Sequence, residues 1–169
     1  MTTIRKLYIF NFAGACIVAA AWWAGYVDKL MHADAAHMTK IIAALFLVGL
    51  VSTFWQARKV DKAARQKFYN GPASRERASS ALALAAAHLR DIYTALFILG
   101  IVGNAVGFLI AFSGVSMASM GSADGMQEAG VKLLSGAGTA FGATIVGLSL
   151  ALWMSANLRI LHTAIDRLR

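Results

Sequence analysis

The sequence is short of charged residues, which excludes an ordinary water-soluble domain. Only 14% of its 169 residues are charged, while 59% are hydrophobic. Soluble domains carry roughly 25% charged and 45–50% apolar residues, so this chain has too few polar side chains to cover a globular surface. We therefore expect a membrane protein.

Proline and cysteine are almost absent. One proline beside 15 glycines favours long unbroken helices, and no segment shows the alternation of a barrel strand. The single cysteine, Cys16, has no partner in the chain, which excludes an intrachain disulfide framework and a cysteine-based metal site. Because the sequence also contains no recognisable nucleophile, phosphate-loop or metal-ligand constellation, we expect neither an enzyme nor a cofactor or metal site.

Four apolar segments predict an all-α protein with four transmembrane helices in a single membrane domain, 1–169. The first span, about 7–27, carries no charge and as a helix would be about 31 Å long, close to the hydrocarbon thickness of a bilayer. Its basic start resembles that of a signal peptide, but Trp22 and Trp23 do not suit a cleavage site, so we expect the helix to be retained. The second span must begin near His37 or Met38 to reach sufficient length, giving about 38–55. The third and fourth spans cover about 92–112 and 133–154.

Charge distribution predicts the orientation, because Lys and Arg favour the cytoplasmic side. With four spans and both termini cytoplasmic, the inner side carries 13 basic and 4 acidic residues, net +9, and the outer side 3 basic and 4 acidic, net −1. The inner basic residues are Arg5, Lys6, Arg58, Lys59, Lys62, Arg65, Lys67, Arg75, Arg77, Arg90, Arg159, Arg167 and Arg169. On a membrane protein this excess most simply predicts contact with anionic lipid headgroups of the bilayer, with a protein partner as the sharper alternative, and not contact with nucleic acid.

The inner and outer segments between the spans differ in their predicted structure. The inner segment, about 56–91, predicts a hairpin of helical extensions of spans two and three, with a break at Asn70-Gly71-Pro72 and an unbroken run from Ala73 into the third span. The outer segment, 113–130, contains Gly114, Gly121 and Gly125, which suits a turn. Asn11 in the first span is interpreted as a packing residue, and Trp153 with the other tryptophans as an interfacial anchor.

Spans three and four carry stripes of small residues. In span three the stripe is Gly100, Gly103, Gly107, Ala111 and Gly114, with Asn104 beside it. In span four it is Ala137, Ala140, Thr144, Gly147 and Ala151. Asn104 and Thr144 both fall near the membrane midplane. The plain interpretation is tight helix packing, in which Asn or Thr contributes an interhelical hydrogen bond of about 1 kcal/mol.

The order of residues also supports a sharper interpretation. The segment 99–108, Leu-Gly-Ile-Val-Gly-Asn-Ala-Val-Gly-Phe, resembles the Gly-x-x-Gly-Thr-Val-x-Gly segment of the MotA/TolQ/ExbB proton-channel superfamily. The segment 134–148, Leu-Ser-Gly-Ala-Gly-Thr-Ala-Phe-Gly-Ala-Thr-Ile-Val-Gly-Leu, resembles the following helix of that family. The resemblance covers about 91–157, and four spans suit the flagellar-stator branch, although 56–91 is much shorter than a stator's cytoplasmic domain.

The resemblance implies a homopentamer in a bacterial-type inner membrane, acting as a stator-like subunit of an ion-driven motor. Its third and fourth helices would enclose a dimer of single-span MotB/TolR/ExbD-like partners, each with a membrane Asp. Asn104 replaces the family's Thr, and Thr139 stands where TolQ and ExbB have Glu. Asn104, Thr144 and Thr139 are then the expected ion-pathway residues, and the small residues form the collar. The sequence adds that no Asp or Glu lies within a predicted span, so a proton-carrying carboxylate must come from a partner.

One alternative remains, a non-conducting membrane scaffold or a holin-like pore-forming protein, which needs no acid-bearing partner. Haem ligation is disfavoured, because His32, His37, His88 and His162 all lie at span ends or outside the spans, whereas a bundle haem needs two histidines at one depth.

Overall fold

The computed structural model describes residues 2–34, 36–66, 71–113 and 121–168, and every regular element in these ranges is an α-helix or a short helical turn. The helices are α1 (Thr3–Trp23), α2 (Tyr26–Ala33), α3 (Met38–Gln66), α4 (Pro72–Ala85), α5 (Ala87–Ser113) and α6 (Ala123–Asp166). Four stretches are long and apolar enough to cross a membrane: α1, α3, the α4–α5 run and α6. The expected all-helical, multi-pass membrane architecture is therefore confirmed at this level.

The first span ends earlier than predicted. Helix α1 stops at Trp23, and Gly25 adopts a left-handed conformation with φ of 75° before α2 begins at Tyr26. The amide of Gly25 donates to the carbonyl of Trp22 at 2.8 Å, which closes the last turn of α1. A single helix over 7–27 is therefore wrong in its last four residues, because glycine adopts the left-handed region at low cost.

The second span begins at Met38, as its required length predicted. The carboxylate of Asp34, itself buried, accepts a hydrogen bond from the backbone N–H of Thr39 at 2.6 Å and so stabilises the first turn of α3. Helix α3 continues to Gln66, which confirms the predicted helical extension. The expected break at Asn70 lies outside the described residues.

The run from Ala73 into the third span is interrupted once. Helix α4 ends at Ala85, and Ala86 forms a turn whose N–H lies 3.0 Å from the carbonyl oxygen of Leu82 and 3.2 Å from that of Ala83. The two acceptors show a local tightening from α-helical toward 3₁₀ spacing. The prediction of an uninterrupted helix is therefore wrong at this single residue, and α5 resumes at Ala87.

The second half of the predicted outer turn is helical. Helix α6 begins at Ala123, so Gly125 and Gly130 lie within it, while Gly114 is outside the described residues. The hydroxyl of Ser122 accepts the N–H of Gly125 at 3.1 Å, which is an N-cap. Placing a turn over 113–130 was therefore wrong beyond Ser122, because the cap outweighs the low helix propensity of glycine. The 44 residues of α6 make a helix about 66 Å long, roughly twice the hydrocarbon thickness.

The chain forms two compact units. Unit 1 comprises Met1–Ala19, Leu45–Ala95 and Ala151–Arg169, and unit 2 comprises Ala20–Ala44 and Leu96–Leu150. Among the described residues, every basic residue expected on the inner side belongs to unit 1, and the three expected outside belong to unit 2. Fully buried residues of unit 1 include Leu89, Met154 and Leu161, and those of unit 2 include Ile42 and Leu96.

Candidate functional site

The candidate site lies where α5 and α6 pack together in unit 2. A Cβ atom added to Gly147 would lie only 2.6 Å from Gly100 Cα, and one added to Gly107 would lie 2.6 Å from Ala140 Cα. Both distances are too short for a side chain, so the two backbones are in direct contact. The contacts pair the helices antiparallel: Gly100 with Gly147, Gly103 with Ala143, Gly107 with Ala140 and Ala111 with Gly136.

The predicted stripe on α5 is confirmed as a packing face. On α6, the face that contacts α5 is turned around the helix axis relative to the predicted stripe. Its contacting residues are Gly136, Ala140, Ala143 and Gly147, whereas the sequence suggested Ala137 and Thr144 in place of Gly136 and Ala143. Steps of three and four residues alternate along either set, so both fit one helix face. Ala137 is half-buried beside the contact, and Ala151 is buried within unit 1.

Thr144 and Asn104 lie at the same level of this helix pair. The antiparallel register sets Thr144 next to the contact between Gly103 and Ala143, and Asn104 follows Gly103 directly. The Thr144 hydroxyl donates to the Ala140 carbonyl at 2.9 Å, and the Gly100 carbonyl is a second acceptor at 3.4 Å. Thr144 therefore links α6 to α5.

Asn104 has a different environment. Its side chain is half-buried, and no partner for its amide is found among the residues that the structure describes. A primary amide offers two donors and an acceptor. Asn104 is thus able to hydrogen-bond a group supplied from outside the chain.

Thr139 is not part of this arrangement. It is fully buried, and its hydroxyl lies 3.4 Å from the carbonyl oxygen of Ala33, at the end of α2. Five residues separate Thr139 from Thr144, which turns their side chains about 140° apart around the helix. Two of the three predicted pathway residues, Asn104 and Thr144, therefore share one level of the helix pair, and Thr139 does not face the same way.

Among the described residues, no carboxylate lies in the middle of α1, α3, α5 or α6. At the start of α6, Glu128 accepts a hydrogen bond from Lys132 at 2.8 Å. This hydrogen bond and the Lys132 charge lower the pKa of the exposed Glu128 carboxyl below its usual value. Within the described ranges there is also no group of three or more His, Cys, Asp and Glu side chains able to hold a metal ion.

The sequence interpretation missed a buried polar cluster in unit 1. Asn11 donates to the side-chain oxygen of Asn157 at 2.7 Å, and Asn157 donates back to the Asn11 oxygen at 3.2 Å. The Trp153 indole N–H donates to the same Asn11 oxygen at 2.8 Å. Asn11 is confirmed as a packing residue, whereas Trp153 is a hydrogen-bond donor to a neighbouring helix rather than only an interfacial anchor. The four-residue spacing of Trp153 and Asn157 was the available signal.

No protein-family model, curated protein or solved structure matches this chain. Functional inference therefore depends on the contact between α5 and α6 and on the residues beside it.

Proposed function

We propose that this protein is the collar-forming subunit of an ion-driven motor in a bacterial-type inner membrane. In this proposal it resembles MotA/TolQ/ExbB proteins and forms a pentamer around two single-span partner helices that carry the membrane carboxylate. The observation that supports the proposal best is the half-buried amide of Asn104, which has no partner among the described residues and lies level with the Thr144 residue.

The physical argument concerns the cost of a carboxylate inside a membrane. An ionised Asp at the helix centre costs about 2.5–3.5 kcal/mol on insertion scales. Hydrogen bonds to a charged group contribute about 1.5–3 kcal/mol each. Asn104 amides from several copies, joined by Thr144 hydroxyls that turn from the Ala140 carbonyl to the carboxylate, would together offset this cost and hold a partner carboxylate in its ionised state until an ion neutralises it.

The energy for movement would come from the membrane potential. One elementary charge crossing about 100 mV releases roughly 2.3 kcal/mol, which exceeds the thermal energy several-fold and can bias the rotation of a partner helix. The excess of basic residues in unit 1 supports an orientation with both termini in the cytoplasm.

Proton flux through the complex tests the proposal. The tagged chain is purified with its bound partners from its own host and reconstituted into vesicles containing a pH-sensitive dye. We expect Thr144→Val to reduce proton entry at least tenfold, because the substitution removes one hydroxyl hydrogen bond to a charged group and nearly preserves side-chain volume. Thr144→Ser should retain most of the flux.

The matched control is Ser149→Ala, which removes an exposed hydroxyl from the same helix and should leave the flux unchanged. Equal flux through wild type and Thr144→Val would remove Thr144 from the pathway. No flux of protons or of sodium ions through the wild-type complex under an imposed potential would contradict the motor proposal.

A second candidate is a scaffold or holin-like pore former, and one observation favours it. The small-residue faces of α5 and α6 contact each other within one chain, so tight packing alone accounts for the stripes. A holin-like pore of the chain alone would release a small fluorescent solute from vesicles, and a scaffold would release neither solute nor protons. The motor proposal expects proton flux without solute release, and only when the partner is present.

A further inference from the structure

A cavity of about 720 Å³ in unit 1 is lined by α1, α3 and α6 and has an excess of positive charge. Its walls include Lys6 from α1, Arg65 from α3, Arg159 from α6 and Arg167 just after the end of α6, and Asp61 is the one acid among its described lining residues. Three separate helices thus bring basic side chains to one space, which distinguishes the cavity from a run of charge along one exposed helix face.

The single acid is engaged elsewhere. One oxygen of Asp61 accepts the backbone N–H of Thr3 at 2.8 Å, and the other accepts that of Ile4 at 3.0 Å. Asp61 therefore caps the first turn of α1. Lys6, Arg65 and Arg159 have no ion pair in the part of the chain that the structure describes, so their charge is available to a bound anion.

The remaining wall of the cavity is apolar. It includes Phe10, which lies one turn beyond Lys6 on α1, and Ile160, which follows Arg159 on α6. Ala64 and Ala164 also line it and leave space where larger side chains would fill it. Because Lys6 immediately precedes the apolar run of the first span, the cavity combines cations with apolar surface at the start of a candidate transmembrane helix.

We propose that this cavity binds an anionic phospholipid. Lys6, Arg65 and Arg159 hold its phosphate, and the upper part of an acyl chain lies against Phe10 and Ile160. Arginine suits phosphate because its planar guanidinium presents paired donors, and basic pockets between transmembrane helices are typical sites for anionic headgroups. The volume is within the range of about 300–1,000 Å³ usual for ligand pockets.

A free phosphate ion and a phospholipid headgroup present the same phosphate group, and the apolar wall favours the lipid. A free phosphate ion would use the basic side chains alone, whereas a lipid also covers Phe10 and Ile160. The proposal is independent of the motor proposal, since every residue in it belongs to unit 1 and none takes part in the contact between α5 and α6.

Native mass spectrometry of the full chain in a non-ionic detergent tests the inference. Delipidated protein is titrated with phosphatidylglycerol or with phosphatidylcholine of the same acyl chains. We expect phosphatidylglycerol to bind at least tenfold more tightly, and the Arg65→Gln/Arg159→Gln variant to lose this preference, because two charge-assisted contacts are removed.

The matched control is Arg58→Gln/Lys62→Gln, which removes the same charge from exposed positions of α3 that do not line the cavity. This variant should bind phosphatidylglycerol within twofold of wild type. Equal losses in the two double variants would overturn the proposal, because they would show diffuse attraction to surface charge.

A cavity-filling variant separates lipid from free phosphate. Ala164→Phe keeps every charge and occupies space beside the apolar wall, so it should weaken phosphatidylglycerol binding several-fold. Inorganic phosphate at millimolar concentration should not displace the lipid. Full displacement by inorganic phosphate, together with unchanged binding in Ala164→Phe, would overturn the lipid proposal in favour of a soluble anion. Circular dichroism of each variant verifies that it is folded.

Discussion

At the scale of single residues, Asn11 and Asn157 show how this chain accommodates polar groups in a hydrophobic environment. Each amide donates to the other, and their remaining donors reach the backbone carbonyls of Leu7 and Trp153 at 2.8 and 3.0 Å. Buried amides are stabilising only when their partners are present. The pair therefore joins α1 to α6 within unit 1.

Removing one member of the pair should destabilise the protein. We expect Asn11→Leu to lower the free energy of unfolding by about 1–2 kcal/mol, because Asn157 and the Trp153 indole N–H lose their acceptor. Reversible unfolding in mixed detergent micelles measures this change. The double variant Asn11→Leu/Asn157→Leu should cost less than the sum of the single variants, since the two residues interact directly.

The exposed Ser155, on the same turns of α6, provides a comparison. Ser155→Ala should change the free energy of unfolding by less than about 0.5 kcal/mol. Additive effects of the two asparagine substitutions would show that the amides act independently and that the hydrogen-bonded pair is not what stabilises the contact.

At the scale of elements, the contact between α5 and α6 depends on the absence of side chains. A Cβ at Gly147 would meet backbone rather than the end of a flexible side chain, namely Gly100 Cα at 2.6 Å and the carbonyl oxygen of Leu96 at 3.1 Å. Backbone atoms cannot move aside without separating the helices. This small-residue face is therefore a structural requirement of unit 2, whatever the protein does.

Gly147→Ala should therefore separate α5 from α6. We expect a loss of about 1–3 kcal/mol in the free energy of unfolding, the range typical of overpacking. Gly130→Ala is the matched control, because nothing lies within 4 Å of a Cβ at this position of the same helix. This control should be neutral or stabilising by up to about 1 kcal/mol, since alanine favours helix over glycine. Similar destabilisation by the two substitutions would contradict the packing model.

Some features of the helices could be predicted from the sequence and others could not. The length needed to cross a membrane placed the start of α3 near Met38. Asn104 and Thr144 were both predicted near the membrane midplane, and they lie at one level of the helix pair. The rotation of α6 was not predictable, because the sets containing Gly136 or Ala137 both have helical spacing. The left-handed Gly25 and the cap at Ser122 were missed because glycine suits a helix interior, a helix end and a turn almost equally well. Asn157 was missed because it lies beyond the predicted end of the fourth span.

At the scale of the whole molecule, the charged residues divide between the two compact units in the same way as between the two predicted sides of the membrane. Among the described residues, the basic residues expected on the inner side belong to unit 1 and those expected on the outer side to unit 2, so each unit collects the charges that the prediction assigned to one side. The anionic-lipid cavity belongs to unit 1 and the small-residue helix pair to unit 2. The two proposals thus concern separate parts of the chain and can fail separately.

Many large apolar side chains remain exposed on the single chain, among them Phe108 and Leu109 on α5 and Phe141 and Ile145 on α6. In a membrane such side chains contact lipid or other copies of the chain. The motor proposal requires that some of them form contacts between copies, while Asn104 and Thr144 face an enclosed partner.

Electron cryomicroscopy of the complex purified from its own host tests the motor proposal most directly. The proposal predicts a ring of five copies with two additional helices inside it and a carboxylate of these helices within hydrogen-bond distance of Asn104 or Thr144. A ring with an empty centre, or an assembly in which Asn104 faces lipid, would contradict it.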